Sequence, residues 1–239
     1  MAVTVTNPVD ILNDDPFSLL LYGEPKIGKT TLAGGFPAPK FISCPRSEAT
    51  SLAALPNAKS IEVYGVENWA DFVEISLKLA KEPASEDFKT LVFDTFTQGY
   101  AFCLTAWVEA NKGAQISQNT WTVVNRRFLD LFDKVFKLNK DKNLLILAHS
   151  RTVVLGEGPG AEKLISPDFG TGLKSKIEAR LNGIFYYQEY GKNRLLRVEP
   201  VSGIDVGSRY RFKGNLTNPT ADDIINKLNE YKAQVNSNG

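Results

Sequence analysis

The eight residues Gly23-Glu-Pro-Lys-Ile-Gly-Lys-Thr30 constrain this chain more than anything else in it. The apolar run FSLLLY over 17–22 precedes them, and residues 29–34 read as the start of a helix, closed by Gly34, Gly35 and Pro37. A buried strand, a glycine-bearing loop and a helix, in that order, are the context that the pattern G-x-x-x-x-G-K-[ST] requires. Gly23 and Gly28 let the backbone curl until successive N–H groups converge on phosphate oxygens. Glu24, Pro25, Lys26 and Ile27 supply the cradle between them, and the N-terminus of the helix, where Thr31 follows Thr30, adds its partial positive charge. Lys29 is expected to reach the β- and γ-phosphates of a nucleotide, most simply ATP. The Thr30 hydroxyl is expected to ligate magnesium (Mg2+).

The second half of such a metal site is an acid at the end of another buried strand. Thr90-Leu-Val-Phe-Asp94 supplies one, so Asp94 is expected to hold the ion through water at the carboxyl edge of the sheet. A helix-capping aspartate is the competing reading. His149 is the single histidine and follows Leu144-Leu-Ile-Leu-Ala148, the most apolar strand of the chain. That strand should end beside Asp94, where a polar side chain can touch the γ-phosphate or the attacking water and relay the nucleotide state to the segment behind it. A structural histidine bonded to backbone competes on even terms.

The remaining elements follow from periodicity. Strands are expected over 40–44, 60–64, 90–93 and 144–148, alternating with helices near 47–55, 69–82, 97–110 and 121–138. Residues 151–172 hold five glycines and two prolines and read as a long mobile loop. A short helix over 173–181 and a meander of three strands over 184–190, 194–200 and 208–213 come next, then a helix capped by Thr220. Alternating strands and helices imply an α/β fold with a mostly parallel central sheet covered by helices on both faces, and a C-terminal antiparallel edge meander. The organisation expected is an N-terminal arm over 1–15, a nucleotide-binding domain over 16–215, and a C-terminal helix and tail over 216–239.

Charge excludes a strongly polyanion-seeking chain: 28 Lys and Arg balance 27 Asp and Glu, a net charge of +1. Two cysteines without metal spacing, Cys44 and Cys103, read as buried thiols in a reducing compartment. The N-terminus lacks a signal-peptide pattern and no apolar run is long enough to span a bilayer, so a cytoplasmic protein without membrane contact is expected.

GEPKIGKTT after the first strand, then LVFDT, then LLILAHS with a glycine-rich segment behind it, resembles the RecA-like P-loop ATPases, and more narrowly the compact phage-encoded members of the single-strand annealing and recombination class. The resemblance covers roughly residues 17–213. It implies rings or filaments with ATP between neighbours, and two segments facing single-stranded DNA, which map to residues 111–120 and 151–172. It also implies a late basic residue reaching into the neighbour's ATP; Arg209 is the first choice, with Arg211 and Lys213 beside it. The family's catalytic glutamate follows the second strand. Here Glu48 is the available acid, slightly later than usual, with Arg46 in the more usual place; an acid favouring a helix start is the equal alternative.

Support for DNA outside the resemblance is thin. Between Lys192 and Lys213 six basic residues face two acidic ones, with Tyr186, Tyr187, Tyr190 and Tyr210 nearby, a mixture that suits single strands. An edge meander of solvated charges and core aromatics has the same composition. Two other functions compete: a nucleotide-gated loader or interaction module of a replication complex, with a single-strand-binding or replication protein as the partner expected, and a small-molecule kinase. The kinase is disfavoured because residues 151–172, the only candidate lid, carry one arginine, Arg151.

Overall fold

The computed structural model describes residues 7–14, 16–157 and 161–237. The sequence reading of 1–15 as an arm falls partly outside them. Within them, Pro8–Asp14 forms helix α1, which packs against the C-terminal helix α7 (Ala221–Ser237).

The core is a parallel sheet of β1 (Ser18–Gly23), β2 (Pro39–Ser43), β3 (Glu62–Gly65), β4 (Thr90–Asp94) and β5 (Asn143–Leu155), extended by β7 (Gly183–Tyr190), β8 (Asn193–Arg197) and β10 (Leu216–Thr217) in the order β10-β8-β7-β1-β5-β4-β2-β3. β1 and β4 are therefore separated by β5, with Gly23 beside His149 and Leu147 beside Asp94. Side chains alternate across the sheet because the strand period is two. Leu20, Tyr22, Phe93, Ile146 and Ala148 enter one core with α3 (Trp69–Lys81), α4 (Phe96–Ala110), α5 (Gln118–Leu138) and α6 (Thr171–Glu178). Leu19, Leu21, Val92, Leu145 and Leu147 enter the other, with α2 (Lys29–Ala33) and α7. On the first face the rings of Phe96 and Phe128 meet edge to face at 4.8 Å. Among the described residues no helix is long and apolar enough to cross a membrane.

Three expectations are corrected. Residues 151–172 are not one loop: β5 runs through His149 to Leu155 and pairs antiparallel with β6 (Glu162–Pro167), from Ser150 opposite Pro167 to Leu155 opposite Glu162. Of its described glycines, Gly156 follows β5 and Gly170 and Gly172 come after β6, while the branched residues Thr152, Val153, Val154 and Ile165 carry the ladder. The meander is also different. β7 is parallel to β1, and of the third expected strand only Ser208 pairs, within β9 (Gly207–Ser208) against β7. Tyr210 and Phe212 turn inward to the α7 core, and the edge strand is β10. Residues 46–54 wind as a 3-10 segment rather than an α-helix.

Candidate nucleotide site

The loop after β1 carries two left-handed residues, Lys26 at φ 66° and Gly28 at φ 98°, which fold the chain back before α2. Gly23 is demanded by its neighbour: a Cβ there would lie 2.1 Å from the Tyr187 carbonyl oxygen on β7. α2 is only five residues long, so the loop's own N–H groups, more than a helix dipole, must meet an anion. Lys29 is buried, and its Nζ donates to the carbonyls of Gly23 at 2.9 Å and Glu24 at 2.7 Å. Burial lowers its pKa to about 8, against the favourable pull of Asp94, Glu48 and Glu24.

Thr30 Oγ1 donates to Asp94 Oδ2 at 2.6 Å, so the two expected metal ligands meet although β5 stands between their strands. Burial raises the Asp94 carboxyl to about 6, opposed by the Thr30 hydrogen bond. A hydroxyl and a carboxylate are hard oxygen donors, the kind magnesium takes, and an ion that keeps several of its waters would meet Asp94 through one of them. Among the described residues no cluster of three His, Cys, Asp or Glu forms a closed cage for a metal. The residues fit magnesium shared with a nucleotide.

Around this pair lies a cavity of about 420 Å³ lined by Lys26, Gly28, Thr31, Glu48, His149 and Arg194, among others. Glu48 projects from the 3-10 segment to its rim, close enough to Lys29, Asp94 and His149 to affect the titration of all three. Arg46 turns the other way, its side chain covering Gly65 of β3. His149 is half-buried, and burial together with Lys29 holds its imidazole below the ordinary histidine value, hence neutral at pH 7. Its backbone is fixed on both sides. Its N–H donates to Thr97 Oγ1 at 3.0 Å, and its carbonyl accepts from the Asp168 N–H at 2.8 Å.

Thr97 and Asp168 also line a second, larger cavity of about 980 Å³, with Gln118, Trp121, Arg126, Arg151 and Lys176. The two segments expected to face DNA border it, one leading into Gln118 and the other running from Arg151 through Asp168. Of the four tyrosines named for base stacking, Tyr186, Tyr187 and Tyr210 are at most 5% exposed and belong to the cores, while Tyr190 is exposed at the end of β7 and does not line this cavity.

Arg209 lies away from the phosphate loop of its own chain. It donates to the Ala179 carbonyl and lines a separate cavity with Phe17, Lys140 and Asn182, at the amino ends of β1 and β5. Sequence reasoning missed Arg194, whose guanidinium comes to the phosphate loop from β8. Its signal was available: a cation in alternation with the core residues Leu196 and Val198 points to their face of the sheet.

A family model described as AAA domain matches residues 15–210. The chain belongs to that AAA domain family. No curated protein matches it. Among solved structures, this AAA domain is similar to a prototypical ATPase from the type III secretion system of pathogenic bacteria, with 11% identity and a TM-score of 0.46, over 73% of this chain and 53% of the other. The chain thus spans about half the length of that ATPase. It is also similar to the flagellar accessory protein FlaH from Methanocaldococcus jannaschii, with 14% identity and a TM-score of 0.40, over 81% and 90% of the two chains. The fold is a mostly parallel α/β sheet between helices, with antiparallel strands added at one edge and the phosphate loop following β1.

Proposed function

We propose that this AAA domain hydrolyses ATP with magnesium and uses the nucleotide state to control binding of single-stranded DNA, in strand annealing or recombination. The supporting observation is the path of β5. His149 stands in the nucleotide cavity, and two residues further on Arg151 stands in the larger groove. The hydrogen bonds that hold His149 come from Thr97 and Asp168, both of which line that groove. A displacement of His149 therefore moves groove-lining atoms directly.

In the catalytic cycle the loop N–H groups and Lys29 bind the phosphates, and Thr30 with Asp94 orients the ion. Magnesium held there would supply positive charge against the phosphates. Glu48 accepts the proton of the attacking water, and His149 senses whether the γ-phosphate is present. In the groove, Arg126, Arg151 and Lys176 offer charge to phosphates and the exposed Trp121 offers a stacking face.

Phosphate release from ATP, measured with and without a single-stranded oligonucleotide, tests the whole reading. Stimulated turnover is the expected result. Turnover indifferent to DNA removes the coupling. ATP binding without turnover favours the nucleotide-gated loader, in which Glu48 is a rim residue only.

A further inference from the structure

We infer that Arg194 is a phosphate-contacting residue supplied in cis: it reaches the nucleotide bound by its own chain. The inference rests on the phosphate loop being a nucleotide site.

The argument begins with strand register. β8 runs antiparallel to β7, which runs parallel to β1, so the start of β8 projects past the carboxyl edge where the phosphate loop sits. Arg194 pairs with Glu189, and Tyr186 with Arg197. The two arginines of β8 are three residues apart, an odd spacing that sends them to opposite faces of the sheet. Leu196 and Val198 share the face of Arg194, and both are buried with Ile27, Leu32 and Ala33 of the phosphate loop and α2. Arg197 takes the other face, beside Tyr186 of the opposite core. Only Arg194 is delivered to the phosphate loop.

Contact follows from that placement. A Cβ built on Gly28 would lie 2.6 Å from Arg194 Nη1 and 3.0 Å from its Cζ, so the guanidinium lies against the loop where its backbone turns. Arg194 lines the same cavity as Lys29, Thr30, Glu48 and Asp94. Its side chain lies beside the Tyr187 hydroxyl, and among the described residues no carboxylate forms an ion pair with it.

The strand start is also pinned. The Arg194 N–H donates to Asn218 Oδ1 at 2.8 Å, and its carbonyl accepts from the Asn218 N–H at 2.7 Å. Asn218 Nδ2 donates to Asn193 Oδ1 at 2.9 Å. A cation on a fixed backbone, exposed and directed at an anion-binding loop, has the geometry of a fork for phosphate oxygens. A neighbour is not needed to bring it there, unlike the late basic residue that the sequence pointed to.

The test uses the full chain with Arg194→Gln and Arg194→Lys. Affinities for magnesium-ATP and magnesium-ADP are measured by calorimetry, and turnover at saturating ATP is measured over a wide range of protein concentration. Arg194→Gln should weaken ATP binding or slow turnover by about tenfold or more, the worth of one charge-assisted contact. Arg194→Lys should keep part of the loss repaired, because the charge survives without the fork. The defect should be the same at every dilution, and mixing with Lys29→Ala subunits should not rescue it. Rescue on mixing would assign Arg194 to a neighbour's site and overturn the inference. Wild-type binding and turnover in Arg194→Gln, with an unchanged thermal midpoint showing that it folds, would overturn it as well. Lys29→Ala in the same assay separates the two readings: if it binds ATP as the wild type does, the phosphate-loop assignment itself fails, whatever Arg194 does.

Discussion

Thr30 and Asp94 are joined by a 2.6 Å hydrogen bond across an intervening strand. One residue comes from the first turn of α2 and the other from the end of β4, and β5 between their strands carries His149 beside Gly23. A hydroxyl from the helix after β1, an imidazole from within β5 and a carboxylate from the end of β4 thus face one cavity, at the edge where open α/β sheets bind ligands.

Lys29→Ala should reduce magnesium-ATP affinity by roughly fiftyfold or more, since charge-assisted contacts are worth about 1.5–3 kcal/mol each. The fold should persist, because Nζ holds two loop carbonyls and not a core element. Calorimetric titration decides: an unchanged dissociation constant would remove the phosphate-loop assignment.

Asp94→Asn should stabilise the magnesium-free protein at neutral pH while impairing magnesium-dependent turnover. The Asp94 pKa rises on folding from 3.8 to about 6, so the folded state holds the proton more tightly than the unfolded chain. Ionised Asp94 therefore costs stability in full above about pH 6, by about 3 kcal/mol at 1.36 kcal/mol per unit. The cost disappears as pH falls toward 3.8. Thermal midpoints in EDTA should show the variant ahead at pH 8 and the gap closing below pH 6. A gap independent of pH would place the effect elsewhere than on this carboxyl.

Glu48→Gln should slow hydrolysis by roughly a hundredfold or more with ATP binding retained, the usual loss when a general base is removed. Single-turnover phosphate release separates this from a binding defect. A loss of only a few-fold would leave Glu48 a structural rim residue.

Joint replacement of Arg126 and Lys176 by Gln should weaken single-stranded DNA binding and flatten its salt dependence by about 1.4 in log–log slope, at about 0.7 per phosphate contact for single strands. Trp121→Ala should cost about 1–3 kcal/mol of binding through lost stacking, with the slope unchanged. Fluorescence titrations at several salt concentrations distinguish them. Equal slopes for all proteins would exclude the groove as the DNA path.

Mixing Lys29→Ala with Arg209→Gln subunits tests the late cation expected from the sequence. Arg209 is bonded to Ala179 at the amino end of the sheet, so a shared site requires a neighbour to bring that end against this cavity. Recovered turnover, rising with protein concentration, is the outcome of a shared site. No recovery, with specific activity constant on dilution, marks a self-contained one.

Whatever the site takes from contiguous residues was legible in the sequence. The loop from Gly23 to Thr31, the strand ending at Asp94 and the apolar strand entering His149 each declare themselves within a few neighbours, because local backbone conformation and the burial pattern of one strand are encoded locally. Pairing was not. Counting glycines concealed the β5–β6 hairpin, whose stability lies in a ladder between two halves of the segment. The tyrosines near the C-terminus looked available to bases, yet the order of the sheet buries three of them. Arg194 shows the division most clearly. Its alternation with Leu196 and Val198 was written in the sequence, but its nearness to Gly28 depended on β7 joining β1 in parallel and β8 returning beside it, which only the packing of the whole sheet decides.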